Sequence, residues 1–163
     1  IGIINLFKQG AGDGLQFPEG GFTVKDVLVN GARTNFAEYL KANQVDTRLP
    51  LVADYAGAMV NISFQGIDEG EGAVKLYAPV FPGLTYRVAT PVADYVSAFK
   101  QQLTAADADV GSVAFSCNCI LNYLYSELEG KKTEHFVGPV TFGEVAYQLL
   151  NQTMVYLTIT SLN

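Results

Sequence analysis

Few residues in this chain are equipped for chemistry, and the best placed of them is Glu144. From Phe136 to Asn163 it is the only charged residue, set among Gly, Pro, Val, Phe and Tyr. A carboxylate in such surroundings is either a helix-start device or a functional group with a perturbed pKa. Thr141 lies three residues earlier, in capping-box spacing, so the capping reading is strong. The two roles are compatible, because a helix start also presents free backbone N–H groups to a ligand.

Cys117-Asn118-Cys119 is the second candidate. It falls where an expected strand leads into an expected helix, a common place for ligand sites, and a helix N-terminus lowers a thiol pKa. The alternative is a pair of small buried hydrophobes at a tight strand–helix junction. Thiols two residues apart suit a reduced chain better than a disulfide framework. A nucleophilic pair of Cys117 with His135 is conceivable from the residue inventory alone. One histidine and two cysteines are too few for a conventional zinc site, so neither a metal nor a cofactor is expected. The sequon-like Asn151-Gln152-Thr153 reads as a turn between helix and strand, and Asn61-Ile62-Ser63, mid-strand, carries less. Arg87, on an expected hairpin, reads as a solvated strand charge before it reads as an anion partner.

These residues must be held by a fold, and the composition bounds it. The chain has 163 residues, of which 49% are hydrophobic and 12% aromatic, which suits one core-forming domain and argues against disorder. Only 16% are charged, against roughly a quarter in an average soluble domain. Either much of the surface is uncharged and polar, or part of it faces another domain or subunit. A formal net charge of -6 and ten scattered basic residues, with Lys131-Lys132 the only adjacent pair, exclude a nucleic-acid or anionic-membrane partner. The uncharged run Val110 to Ser126 falls short of the ~20 apolar residues of a bilayer span, so no membrane insertion is expected. No signal peptide is visible and the chain starts at Ile1. The start at Ile1 rather than Met leaves an exported origin open, while the closely spaced thiols suit a reduced cytosolic chain.

Residues 1–21 read as an N-terminal segment and Gly-rich connector, the tail of a preceding element, and residues 22–163 as one domain. Phe22 to Val29 has strand composition and closes on the turn dipeptide Asn30-Gly31. Asn35 and Glu38 have capping-box spacing before a helix with Phe36 and Leu40 on one face. Leu49-Pro50-Leu51 is extended. Ala58 to Gln65 alternates as a half-buried strand, Gly66 to Gly72 is an acidic loop, and Val74 to Val80 alternates again. Leu84 to Ala89 then returns as its hairpin partner after Phe81-Pro82-Gly83. Thr90-Pro91 starts a helix whose buried stripe is Val92, Tyr95, Val96, Phe99 and Leu103. Ser112 to Cys117 is a strand, which with Leu84 to Ala89 allows a parallel pair through a right-handed crossover. Ile120 to Glu129 is a helix stopped by Gly130, a short helix follows Thr141-Phe142-Gly143-Glu144, and Met154 to Thr160 is the last strand. The class is α+β: a mostly antiparallel or mixed sheet with about four helices packed on it.

In order along the chain stand Val29-Asn30-Gly31, Tyr39, Leu49-Pro50-Leu51, Ala78-Pro79-Val80 with Gly83, and Phe115-Ser116-Cys117. Gly138-Pro139, Phe142-Gly143-Glu144-Val145 and Asn151-Gln152-Thr153 follow before the last strand. This collinear set resembles the C-terminal domain of FIST proteins, bacterial intracellular signal-transduction sensors, from about Val24 onward. The chain departs from that pattern at Cys119-Ile120, where a Gly-Arg step is common, and so resembles a divergent member. The resemblance implies a cytoplasmic, non-enzymatic sensory domain that binds a small molecule, an amino acid among the options. It also implies an attached N-terminal domain or a partner output module.

Together these readings place Cys117, Asn118, Cys119, Gly143, Glu144, Asn151 and Thr153 near a ligand pocket, with no catalytic residue assigned. Glu144 would accept hydrogen bonds from a ligand amine or amide, and Asn118 and Asn151 would orient the ligand. Two alternatives stay open: a thiol-dependent enzyme using Cys117 or Cys119, and a structural module that self-associates through its weakly charged C-terminal strand.

Overall fold

Asn30-Gly31 reverses the chain as its composition demands, both residues taking the positive φ (49° and 91°) of a tight hairpin turn. The computed structural model describes residues 1–109, 113–131, 133, 135–146 and 148–159. They divide into two units, one of Phe7–Pro91 and one of Ile1–Leu6 with Val92–Asn163. The protein is mixed α and β, with several antiparallel sheets and, among the described residues, three α-helices where about four were expected.

β1 (Gly2–Ile4) belongs to the second unit. The first unit holds β2 (Leu15–Gln16), β3 (Gly21–Val24), β4 (Asp26–Val29), β5 (Ala32–Asn35), α1 (Phe36–Ala42), β6 (Leu51–Tyr55), β7 (Ala58–Ile62), β8 (Phe64–Asp68), β9 (Ala73–Val80) and β10 (Tyr86–Val88). Its strands form an antiparallel six-stranded sheet in the order β5-β4-β2-β10-β6-β7 and a three-stranded sheet β3-β9-β8. α1 starts where the cap spacing put it, with Asn35 Oδ1 accepting from the Glu38 N–H at 3.0 Å. The Gly-rich stretch before β3 supplies core: Leu15 and Phe17 are buried, and the Phe17 ring stands edge-on to Phe36 and Tyr86 at 5.2 and 5.3 Å.

Three expectations fail in this unit. β10 does not return onto β9; it pairs with β6 and β2, while β9 pairs with β3 and β8. Alternation reports which face a strand buries, and it carries no label for the neighbour. Nor is Ala58 to Gln65 one half-buried strand: it breaks at Ser63 into β7 and β8, and Asn61 and Ser63 lie as deep as Val60 and Ile62. The acidic loop is also shorter than read, since β8 extends through Asp68.

The second unit adds to β1 the elements α2 (Tyr95–Asp109), β11 (Val113–Cys119), α3 (Ile120–Tyr125), β12 (Val140–Thr141), β13 (Glu144–Ala146), β14 (Gln148–Leu150) and β15 (Met154–Thr158). Its sheet runs β1-β15-β11-β12, antiparallel except for the short parallel pair β11–β12, and β13–β14 is a separate hairpin. Ile4, Phe99, Leu103, Leu128, Phe136 and Met154 form its core. α2 begins four residues later than Pro91 because Asp94, not Thr90, caps it, accepting from the Ser97 N–H at 3.0 Å. α3 ends at Tyr125, short of Glu129, and the chain then turns through Glu127 at a φ of 50°. The crossover pair is absent as well, for β10 and β11 lie in different sheets. The expected strand limits at Ser112 and Thr160, and Lys132 of the basic pair, lie outside the described residues.

The largest correction concerns Thr141 to Glu144. No helix follows; Glu144 opens β13, pairing with Leu150. Thr141 Oγ1 donates to the Gly143 carbonyl at 2.7 Å, and so caps nothing. Gly143 permits the close passage of two backbones: a Cβ there would lie 3.0 Å from the Leu150 carbonyl oxygen.

Candidate functional site

β11 delivers the cysteine motif as the sequence suggested, at a strand end whose last residue, Cys119, stands at the N-cap of α3. Alternation along the strand sends Cys117 and Cys119 to one face and Asn118 to the other. β12 returns alongside, pairing Thr141 with Cys119 and setting Thr141 Oγ1 3.4 Å from Cys117 Sγ. The Thr141 hydrogen is committed to Gly143, which leaves the thiol as donor.

Glu144 is 3% exposed. Its Oε1 accepts two hydrogen bonds, from the Cys119 N–H at 3.1 Å and from Thr153 Oγ1 at 3.1 Å. Its Oε2 is buried and has no partner. No cation stands against it among the described residues, so burial dominates and raises the carboxyl pKa to about 8; the Thr153 and Cys119 hydrogen bonds oppose that rise. Burial also raises the Cys119 thiol, with the nearby Glu144 adding to it. The Tyr95 hydroxyl is pushed up by burial and by the negative forms of Cys119, Tyr125 and Glu144. Around neutral pH the acid is therefore mostly uncharged, and Cys119 is a thiol, a poor nucleophile.

A second polar chain runs behind the motif. Asn118 Oδ1 accepts from Asn122 Nδ2 at 2.6 Å, and Asn122 Oδ1 accepts from the Tyr95 hydroxyl at 2.7 Å. The Asn118 Nδ2 donor is buried without a partner. Asn151, fully buried, donates to the Leu150 carbonyl at 3.1 Å and so braces the turn between β14 and β15.

A cleft of about 290 Å³ opens on this region. Ile1, Phe115, Val145, Val155 and Leu157 give it apolar walls, and Cys117, Thr141, Gly143, Glu144 and Tyr156 complete its lining. Of the seven expected residues, Cys117, Gly143 and Glu144 line this cleft. Cys119 and Thr153 hold Glu144 from behind, while Asn118 and Asn151 serve other hydrogen bonds. The apolar walls and Thr141 were missed as site residues. Their signal was the alternation that puts Phe115 and Cys117 on one strand opposite Leu157 and Val155 on its neighbour. His135 is not among the lining residues.

A larger groove of about 550 Å³ beside α1 in the first unit holds Glu38, Lys41 and Glu69. Its charges are exposed, Lys41 pairing with Glu69 at 3.6 Å, so a ligand there would exchange well-hydrated groups for little gain. No group of three side chains able to hold a metal occurs among the described residues, and no helix there is long and apolar enough to cross a membrane.

The fold and site thus define a mixed α/β protein with a dry carboxyl beside a small apolar cleft. The chain belongs to DUF6976, a family of unknown function whose model matches residues 1–160. No curated protein and no solved structure matches it.

Proposed function

We propose that this protein is a non-enzymatic sensory domain, working in the cytoplasm, that binds a small molecule in the cleft of the second unit and passes the signal to an attached or partner output module. The binding half of this reading is supported by one observation above all: a cleft-wall carboxyl, Glu144, that is buried and has one oxygen without a partner. The sensory half rests on the resemblance to FIST C-terminal domains, since the family to which the chain belongs carries no assigned function. A thermal-shift screen against metabolites tests the binding, because a ligand that binds only the native state raises the melting temperature. Glu144→Gln should weaken binding of any hit at least about tenfold, with a smaller change in melting temperature. Normal binding in a much less stable variant would leave Glu144 a purely structural residue.

A second reading, a self-associating module, is favoured by exposed apolar side chains in the same unit, notably Phe142 and Val145, each 79% exposed. Sedimentation of the full chain tests it, and a strict monomer would remove it. The thiol-enzyme reading gains nothing from a buried Cys119 whose pKa is raised.

A further inference from the structure

We infer that the open face of the second unit's sheet docks a second copy of this chain, and that the partner copy roofs the cleft. The inference rests on the self-association reading above and names its surface.

The strands themselves carry it. An antiparallel sheet with one wet face alternates apolar with polar residues, whereas strands buried on both faces read as unbroken apolar runs. β15 opens with Met154-Val155-Tyr156-Leu157 and β1 is Gly2-Ile3-Ile4, neither with a charged or amide alternate. Ile4 and Met154 pack with Phe99 and Leu103 in the core. Ile3 pairs with Val155 and Phe115 with Leu157 on the opposite face of the sheet. That face stays open: Phe115 is 52% exposed, and Ile3 and Leu157 are exposed beside it. Val145, on β13, adds to the same surface, sharing the cleft wall with Phe115 and Leu157. Phe142, exposed as well, stands between the lining residues Thr141 and Gly143.

Charge and area select a second copy as the occupant. None of β1, β11, β12 and β15 carries a charged side chain, and Glu144 on the hairpin is buried. The α-amino group of Ile1 stands at the edge of the face, where Ile1 and Leu157 share the cleft lining. A strongly acidic or basic partner would therefore find little counter-charge here. In a two-fold interface each patch meets its own copy, so a charge near the axis faces its like. The chain carries a net charge of -6, and on this face two copies can meet without bringing carboxylates together. At roughly 150–250 Å2 for a large apolar residue, the open fractions of these side chains, with Ile1 and Ile159 at the ends, come to on the order of 800 Å2 per copy. That is one partner's share of a stable interface. Phe115, Val155 and Leu157 belong both to this face and to the cleft, so a copy laid over the face also closes the cleft from outside.

The test is sedimentation of the full chain over a concentration series, with Phe115→Glu, Leu157→Glu and, as a control at an exposed site of the first unit, Phe22→Glu. The unmutated chain should show a concentration-dependent equilibrium between monomer and dimer. Either face variant should weaken the dimer at least about tenfold, because it sets a desolvated charge against an apolar partner. Phe22→Glu should leave the equilibrium unchanged. Cys117 lies on the docking face and Cys119 is buried, so alkylation of Cys117 by excess iodoacetamide should slow as the concentration of unmutated chain rises. That rate depends on no variant, and it decides the matter if circular dichroism shows a face variant to be unfolded. A strict monomer would overturn the second copy and the self-association reading together, and would leave the face to a different protein. A dimer that survives both face variants, with Cys117 alkylated at one rate throughout, would keep self-association and overturn this surface.

Discussion

The two units treat charge in opposite ways. The first carries five of the six ion pairs found among the described residues, such as Lys25–Glu71, Arg48–Asp46 and Lys75–Asp68, all at its surface. The second carries one, Lys131–Glu127, and keeps its most consequential acid dry and without a cation. Exposed pairs shift stability little, because water already solvates both partners. A buried acid lacks that alternative and must protonate, find donors, or destabilise the fold. The contrast shows why a surface rich in ions can be chemically quiet while a nearly neutral segment holds the group worth testing.

Packing is where the two units should agree, and it sets the largest effect. Phe36→Ala in the first unit and Phe99→Ala in the second each empty a site of 0% exposure, and each should cost about 3–5 kcal/mol in urea unfolding followed by circular dichroism. A much cheaper Phe99→Ala would show that the second unit is looser, and the contrast would extend beyond charge.

The pH dependence should separate them. Glu144 titrates near 4.5 when unfolded and near 8 when folded, so folding takes up a proton between those values. Its stabilisation is complete below about pH 4.5 and is lost as pH rises through about 8, at up to about 1.4 kcal/mol per unit. Glu144→Gln should flatten that limb in chemical denaturation at a series of pH values; an unchanged limb would place its origin elsewhere. In the first unit the sign reverses. Arg48 beside Asp46, and Lys75 beside Asp68, hold those carboxyls below their ordinary value, so their contribution is present above about pH 3.8 and fades only in stronger acid.

The smallest effect belongs to the exposed pairs. Lys41→Ala, which breaks the contact with Glu69, should change stability by less than about 0.5 kcal/mol and less still in high salt. A larger loss would mean that the first unit depends on its surface ions.

Two capping-box spacings show how much of this was legible in the residues. Asn35-x-x-Glu38 and Thr141-x-x-Glu144 look alike in sequence, yet only the first starts a helix. After Asn35, Phe36 and Leu40 recur at a helical interval and settle the local choice. After Glu144, the residues Val145, Ala146, Leu149 and Leu150 are compatible with either period, and pairing of Glu144 with Leu150 decides for a hairpin. The importance of Glu144 was readable because a lone acid among apolar neighbours is conspicuous. Its partner, the Cys119 N–H twenty-five residues earlier, was not, because nothing local encodes that meeting.

What the chain's residue order determined by itself is everything that depends on neighbours a few positions apart: the Asn30-Gly31 turn, the Asn35 cap, the alternation of β9 and the strand end at Cys119. Only the tertiary structure decided which strands pair, as with β10 between β2 and β6, and whether Glu144 is a cap or a buried acid on a cleft wall. Backbone sterics and short-range hydrogen bonds act over one turn and are written locally. Strand pairing and desolvation are set by groups distant in sequence, and they exist only once the chain has closed around them.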